Sequence, residues 1–558
     1  MRSWEAVLLI GAACALLSCG GSANSVSGEG DEETDPPEVA LGERLFLETR
    51  FAQAFFAQAN GDVNAPGAND PVMDVTVTTG KPLPGPFRGE SMNCRACHLV
   101  DEQRSLAGGG VRTYADFARR SPIPQREDGL LTTPRNSPPL VNATLARDDF
   151  FLHFDGEFAS TADLVRGTFT GRNFGWLANE QNEAVAHIAN VVRGDDGRGR
   201  LAAQFGRLAY GVVFEATDPA ISADLRLPPQ FRIDVAAASD EEILDAVANV
   251  VSAYVDSLRF KQDADGQFFA SPYDTFLRKN GMPRAPEASE SPAHYSQRLR
   301  QQIAALASPR FVTAANGRFT LHDQEFVFGE KELAGLKVFL STPSVAAAFG
   351  SIQGGVGNCV SCHPAPDFTD FRFHNNGATQ DEYDAIHGAG AFMELEIPDL
   401  EERNASPDEF LPPSPEHPFA KGKFRSVPSA ADPGLTDLGV WNALGNAAIP
   451  RPQAALESAL CSQLELSVSE CTVEALLPRT VALFKTPGLR DLGQSAPYLH
   501  TGQKDTLENV VEFYITASAR AKGGQLRNGA PELIDMNLIN DDVAPLAAFL
   551  RALNEDYD

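Results

Sequence analysis

The apolar positions of residues 239–260, SDEEILDAVANVVSAYVDSLRF, fall three and four apart. Ile243, Ala246, Val247, Val250, Val251 and Tyr254 then share one face of a helix. Ser239 stands where a cap belongs, and the acidic first turn suits the positive helix end. The same spacing recurs in VALGERLFLETRFAQAF (39–55), KELAGLKVFLS (331–341), TLENVVEFYITASA (506–519) and DDVAPLAAFLRALNED (541–556). No long stretch alternates apolar and polar residues, so the pattern predicts a mainly α chain. Residues 61–90 are rich in Gly and Pro and predict irregular backbone. Residues 282–325 are polar with scattered Pro and read as an insertion or an interdomain segment.

Two of these helical stretches flank one short pattern. SMNCRACHLV (91–100) and GNCVSCHPAP (357–366) each contain Cys-x-x-Cys-His: Cys94, Cys97, His98 and Cys359, Cys362, His363. This is the attachment signal for c-type haem. Two thiols form thioethers, and the adjacent His ligates the iron. Zinc is the rival, since the same residues supply three ligands. The fixed adjacent His, present twice in a chain that carries an export signal, favours haem. A redox Cys-x-x-Cys would want a thioredoxin-like βαβ context, which the pattern lacks. The expected fold is therefore mainly α, with two cytochrome c-like haem domains (39–281 and 326–558) and long irregular loops.

The N-terminus refines where such a protein works. An apolar run from Ala6 to Leu17 follows Arg2, too short to span a bilayer and right for a secretory signal over 1–18. Leu16-Leu17-Ser18-Cys19-Gly20 resembles a bacterial lipoprotein cleavage box, with lipid on Cys19. Residues 19–38 are Gly, Ser and acid rich and read as a tether. The expectation is a periplasmic or cell-envelope lipoprotein that meets the membrane only through its anchor. Of eight cysteines, Cys461 and Cys471 lie outside these roles and form a plausible disulfide in an oxidising compartment. The formal net charge of −29 argues against nucleic acid as a partner and favours solubility or a basic protein partner.

Four stretches carry a family resemblance: PRNSPPLVNA (134–143), FDGEF (154–158), CVSCHPAPDFTDFRFHNNG (359–377) and LFKTPGLRDLGQSAPYLHTG (483–502). The chain resembles the bacterial di-haem cytochrome c peroxidase and MauG family over roughly 40–280 and 326–558. The resemblance implies that one haem reacts with H2O2 or O2 while the other relays electrons. It also implies a small redox protein, cytochrome c or cupredoxin, as donor, or a protein substrate. Fourteen residues beyond His500 of APYLH, it places Tyr514 as the far ligand of the second haem iron. The family's calcium ligands map onto Asn136, Ser495 and Pro497, oxygen donors of the kind that cation takes. His374 maps near a propionate of the second haem.

The chain departs from the family where the first haem would react. The inter-haem Trp is Phe154. The distal Gln and Glu positions fall on Leu164 and Phe174, neither able to transfer a proton. Glu157, Arg172 and Asn173 lie close in sequence as alternative distal groups. The His that ligates the first haem in switching peroxidases maps to Tyr114, leaving His153 or His187 as other candidates and an open iron as the expectation. An apolar distal pocket would also suit an oxygenase acting on an apolar substrate, as in the related di-haem rubber oxygenases. A non-enzymatic di-haem electron carrier is the further alternative.

Overall fold

The computed structural model describes residues 35–556, apart from 68, 79–80, 85–87, 99–119, 148, 205, 220, 320–321, 344–353 and 450–452. Most of the regular structure is helical. The helix Asp240–Ser257 begins at Ser239, whose hydroxyl accepts from the Glu242 amide while the Glu242 carboxylate returns to the Ser239 amide. This reciprocal cap satisfies amides that the first turn leaves free. Its buried face is broader than the spacing predicted, adding Leu244, Ala248 and Val255. The helices Pro37–Phe46, Glu330–Leu340, Leu507–Lys522 and Asn540–Arg551 lie within the other four predicted stretches or within three residues of their ends.

Two of the helix pairs pack in the same way. Helix Pro37–Phe46 crosses helix Asp240–Ser257 at Gly42, where an added Cβ would lie 2.1 Å from the Val250 carbonyl oxygen. Helix Glu330–Leu340 crosses helix Asn540–Arg551 at Gly335, where it would lie 2.0 Å from the Pro545 oxygen. Four residues beyond each glycine an aromatic ring closes the contact, Phe46 on Tyr254 and Phe339 on Phe549, both at 5.1 Å. Only glycine lets backbones approach so closely at these crossings. The repeat that the two Cys-x-x-Cys-His motifs announce therefore extends to the helices around them.

Among the described residues three large apolar clusters and a small one of Ala378, Phe513 and Ala517 form the core. The first gathers buried residues from Val39 to Leu258, with Cys94 and Cys97 against it. The second holds Leu333, Leu336, Phe339 and Phe549, with Cys359 and Tyr514 against it. Tyr295, Leu299 and Ile303 of the helix Pro292–Ala304 are buried in this second cluster. The 282–325 segment, read from sequence as an insertion or interdomain piece, thus supplies core to the second motif. Tyr273, Phe276 and Leu277, counted with the first half in the sequence reading, pack there too. A third cluster centres on Trp441 and Phe373, and beside it Cys461 and Cys471 are joined in a disulfide.

Strands are few and short. The stretch 61–90, expected to be irregular, contains an antiparallel hairpin of Val75–Thr78 and Lys81–Pro84. Phe373–His374 pairs with Phe484–Lys485, bringing two of the sequence motifs side by side. Among the described residues no helix is long and apolar enough to cross a membrane. Cys19, Tyr114 and the 1–18 signal lie outside the described residues.

Candidate functional site

Each Cys-x-x-Cys-His motif folds as one 3₁₀ turn, Cys94–Ala96 and Cys359–Ser361. The turn returns the His amide to the first Cys carbonyl, His98 to Cys94 at 3.0 Å and His363 to Cys359 at 2.8 Å. Both imidazoles are then fixed by the chain beyond. His98 Nδ1 sits 2.9 Å from the Pro138 carbonyl oxygen, and His363 Nδ1 sits 2.8 Å from that of Phe368. A carbonyl only accepts, so Nδ1 carries the proton and Nε2 keeps its lone pair for a metal. Burial pushes His98 down to about 4 and lowers His363 as well, which holds both rings neutral.

The four motif cysteines are free thiols. Burial raises all four, Cys97 to about 11 and Cys359 to about 12. A thiol kept neutral at this depth suits conversion to a thioether, which brings no charge inside. Cys362, His374 and Glu532 place three donor atoms within 4.8 Å, with His374 Nδ1 3.8 Å from Glu532 Oε2 and its Nε2 2.8 Å from Asp370 Oδ2. The donor set therefore fits haem at both motifs.

One cavity opens over the second motif, lined by Cys359, Cys362, His363 and, from helix Leu507–Lys522, Tyr514. The Tyr514 hydroxyl accepts from Asn376 Nδ2 at 3.3 Å. Burial pushes the phenol up to about 12, while Asn376 pulls it back. The predicted far-side residue thus shares the cavity with the predicted axial His. His374 and Phe154 line it too. So do Asn136, Ser495 and Pro497. The Asn136 amide donates to the Pro497 carbonyl, 361 residues away, and its own Oδ1 is buried with no partner. His500 serves as a structural element. Its ring stacks on Phe484 at 3.6 Å and its Nε2 meets Thr379 Oγ1 at 3.1 Å.

Around the first motif the polar candidates are engaged elsewhere. Arg172 grips Asp128 at 2.6 and 2.9 Å and the Leu130 carbonyl. Glu157 is half-buried, which would raise its carboxyl, but Arg425 at 2.5 Å and His153 at 3.0 Å hold it well below the usual range. An ionised carboxylate gripped in this way has no proton to give. Phe174 is 1% exposed and packs on Phe169, and Leu164 lies against the same cluster as Cys94 and Cys97. His187 is structural: its Nε2 meets the Arg50 carbonyl at 2.7 Å within a cage of Phe55, Phe56 and Trp176. His153 adopts a left-handed backbone (φ 61°), and its ring meets Glu157 at 3.0 Å and the Phe158 ring at 5.0 Å. Its neighbour Phe154 faces the second motif's cavity.

Sequence reasoning missed the charged group beside this pair. Arg135 binds Asp437 at 2.5 and 2.8 Å and Asp155 at 2.7 Å, all buried. Arg425 links Asp155 to Glu157. The signal was present in the sequence, since Arg135 and Asp155 each adjoin a named motif residue, Asn136 and Phe154.

No family model matches the chain. A cytochrome-c peroxidase, IdrP2, of Denitromonas iodatirespirans is 39% identical over 77 residues, 14% of this chain and 18% of that protein. The methylamine utilization protein MauG of Methylorubrum extorquens is 38% identical over 74 residues, 13% of this chain and 19% of that protein. The chain thus matches less than a fifth of the length of these relatives. Among solved structures, the diheme peroxidase BthA of Burkholderia thailandensis is 17% identical with a TM-score of 0.41, over 93% of this chain and 86% of that one. At that score the likeness carries no functional weight. Over those matched segments the chain is similar to di-haem cytochrome c peroxidases and to MauG.

Proposed function

We propose that the chain is an exported di-haem c-type oxidoreductase of the peroxidase and MauG type. The observation that carries this reading is the duplicated site: two free thiols and a carbonyl-anchored His in each motif. Haem bound at each motif supplies iron redox chemistry, open to H2O2 or O2 at the first and passing electrons at the second. The chain's residues divide the remaining work. His98 and His363 present Nε2 as axial donors. Tyr514 offers an oxygen from the second cavity's wall, and the Asn376 amide stabilises its anionic form. A phenolate is a hard ligand that favours ferric iron. Phe154, next to His153 in sequence, lines the second motif's cavity.

A second reading, an oxygenase for an apolar substrate, draws on Leu164 and Phe174, apolar residues in or against the cluster that Cys94 and Cys97 also touch. Calcium belongs to the proposal as well. Asn136 Oδ1, the Pro497 carbonyl and Ser495 offer oxygen donors, and the unpartnered Oδ1 is the atom an ion would satisfy. The periplasmic setting, the Cys19 anchor and a small redox protein as electron donor complete it; the −29 charge favours a basic donor.

The test is a CO titration of the reduced protein, followed by product analysis with H2O2 against O2. CO binding at one of two haems supports an open first site, and no binding at either favours an electron carrier. Substrate oxidation that needs O2 and not H2O2 selects the oxygenase.

A further inference from the structure

Two half-buried cations, Lys485 on the wall of the second cavity and Arg147, share one carbonyl. Lys485 Nζ donates to the Phe151 oxygen at 2.8 Å, and Arg147 Nη2 donates to the same oxygen at 3.0 Å. Arg147 is otherwise held by the Ala143 and Leu145 carbonyls and by the faces of Phe371 and Phe150. Its Nε is buried without a partner. Neither cation forms an ion pair among the described residues. Asp155, the carboxylate whose charge reaches Lys485, is already bound to Arg135 at 2.7 Å. Among the described residues Arg135 and Arg425 pair with Asp155, Asp437 and Glu157, and Lys485 and Arg147 form no salt bridge.

Adjacent like charges with one carbonyl between them are costly at this depth, unless an anion joins them. Burial, with Arg147 adding to it, brings the Lys485 amine down to about 7 when no anion is present. The side from which an anion can arrive is set by the fold. Strand Phe484–Lys485 pairs with Phe373–His374, and Lys485 lines the cavity that also holds Cys359, Cys362 and His363. Any anion reaching Lys485 from that cavity belongs to what the cavity binds.

We infer that Lys485, backed by Arg147, receives a propionate carboxylate of the haem attached at Cys359 and Cys362. The ammonium turns from the Phe151 carbonyl to the propionate, forming a charge-assisted hydrogen bond in a water-poor setting. Lys485 is then a cofactor-positioning residue that raises the second haem's potential by holding a positive charge near the iron. The inference rests on the proposed haem at that motif.

The test uses the full-length holoprotein, with Lys485→Met and Lys485→Arg variants. Three readouts are taken: haem count by pyridine haemochrome, second-haem potential by spectroelectrochemistry, and carboxylate bands by redox-difference infrared spectroscopy. The expected result is two haems in each variant. The Met variant should show a lower second-haem potential and a shifted propionate band, and the Arg variant should restore both. Loss of the second haem from the Met variant alone also supports the inference. An unchanged potential and infrared spectrum in the Met variant overturns it, as does equal loss of haem from both variants. A wild type with two haems but no propionate band sensitive to Lys485 refutes the inference and leaves the di-haem reading standing. A wild type without haem at Cys359 and Cys362 removes both.

Discussion

The Nδ1 of His363 lies 2.8 Å from the carbonyl oxygen of Phe368, five residues further along the chain. His98 has the same relationship to Pro138, although forty residues separate that pair. Two loops of different length thus place a carbonyl acceptor on Nδ1 at each motif. Convergence on one atom's protonation state is what a metal-bearing group needs and what a structural histidine does not.

Tyr514 shares its cavity with His363 and accepts a hydrogen bond from Asn376. Replacing an anionic oxygen ligand by a neutral thioether removes stabilisation of ferric iron. Tyr514→Met should raise the second haem's potential by on the order of 100 mV, a modest part of the ~0.8 V that axial ligands span. Spectroelectrochemistry reads this directly. An unchanged potential and an unchanged ferric spectrum would show that Tyr514 is not a ligand.

The glycine crossings make a stability prediction. Gly335→Ala drives a methyl into the Pro545 carbonyl, and Gly42→Ala drives one into that of Val250. Each should cost about 1–3 kcal/mol, as overpacking does. Gly211, in helix Tyr210–Glu215, has open space around it and serves as control. Gly211→Ala should be neutral or gain up to about 1 kcal/mol from helix propensity. Denaturant unfolding of the three variants checks the contrast, and equal effects at all three positions would sink it.

Much of this was legible in the sequence, and the reasons are physical. Periodicity exposes the helix Asp240–Ser257 because its cap, first turn and apolar stripe agree. The motifs expose the haem ligands because their spacing is local. The helix Pro292–Ala304 was hidden because its buried residues, Tyr295, Leu299 and Ile303, sit among seven polar or charged ones. Lys485 and Arg147 were hidden because their meeting point is a backbone oxygen, which no side-chain pattern reports. Arg172 looked available in sequence, but its partner Asp128 is forty-four residues away.

Glu48 ties stability to acid pH. Burial alone would raise its carboxyl, but Arg50 at 2.7 Å and the Tyr210 hydroxyl at 2.6 Å outweigh it, and the folded value falls from 4.5 to about 2. Such a depressed carboxyl stabilises the fold fully above pH 4.5. That contribution, about 3 kcal/mol, is lost as pH falls toward 2. Wild type should therefore lose more stability than Glu48→Gln over this range. Unfolding free energies at several pH values provide the check, and parallel pH curves for the two proteins would refute it.

Leu164 and Phe174, the residues the family resemblance puts over the first haem, carry no proton donor, and Arg425 and His153 hold Glu157 ionised. Absence of a positioned acid or base typically costs ~10²–10⁴-fold. The first haem should accordingly react with H2O2 that much more slowly than an efficient peroxidase, as followed at its Soret band by stopped flow. A rate equal to that of an efficient peroxidase would point to another proton donor, with His153 the first to substitute.

The central claim is that both Cys-x-x-Cys-His motifs carry covalent haem, and intact-protein mass spectrometry under denaturing conditions tests it most directly. Protein produced with a c-type cytochrome maturation system should carry the mass of two haems. Cys94→Ser/Cys97→Ser and Cys359→Ser/Cys362→Ser should each carry one. A wild-type mass showing no haem, or one haem lost by only one of the double variants, would contradict the account.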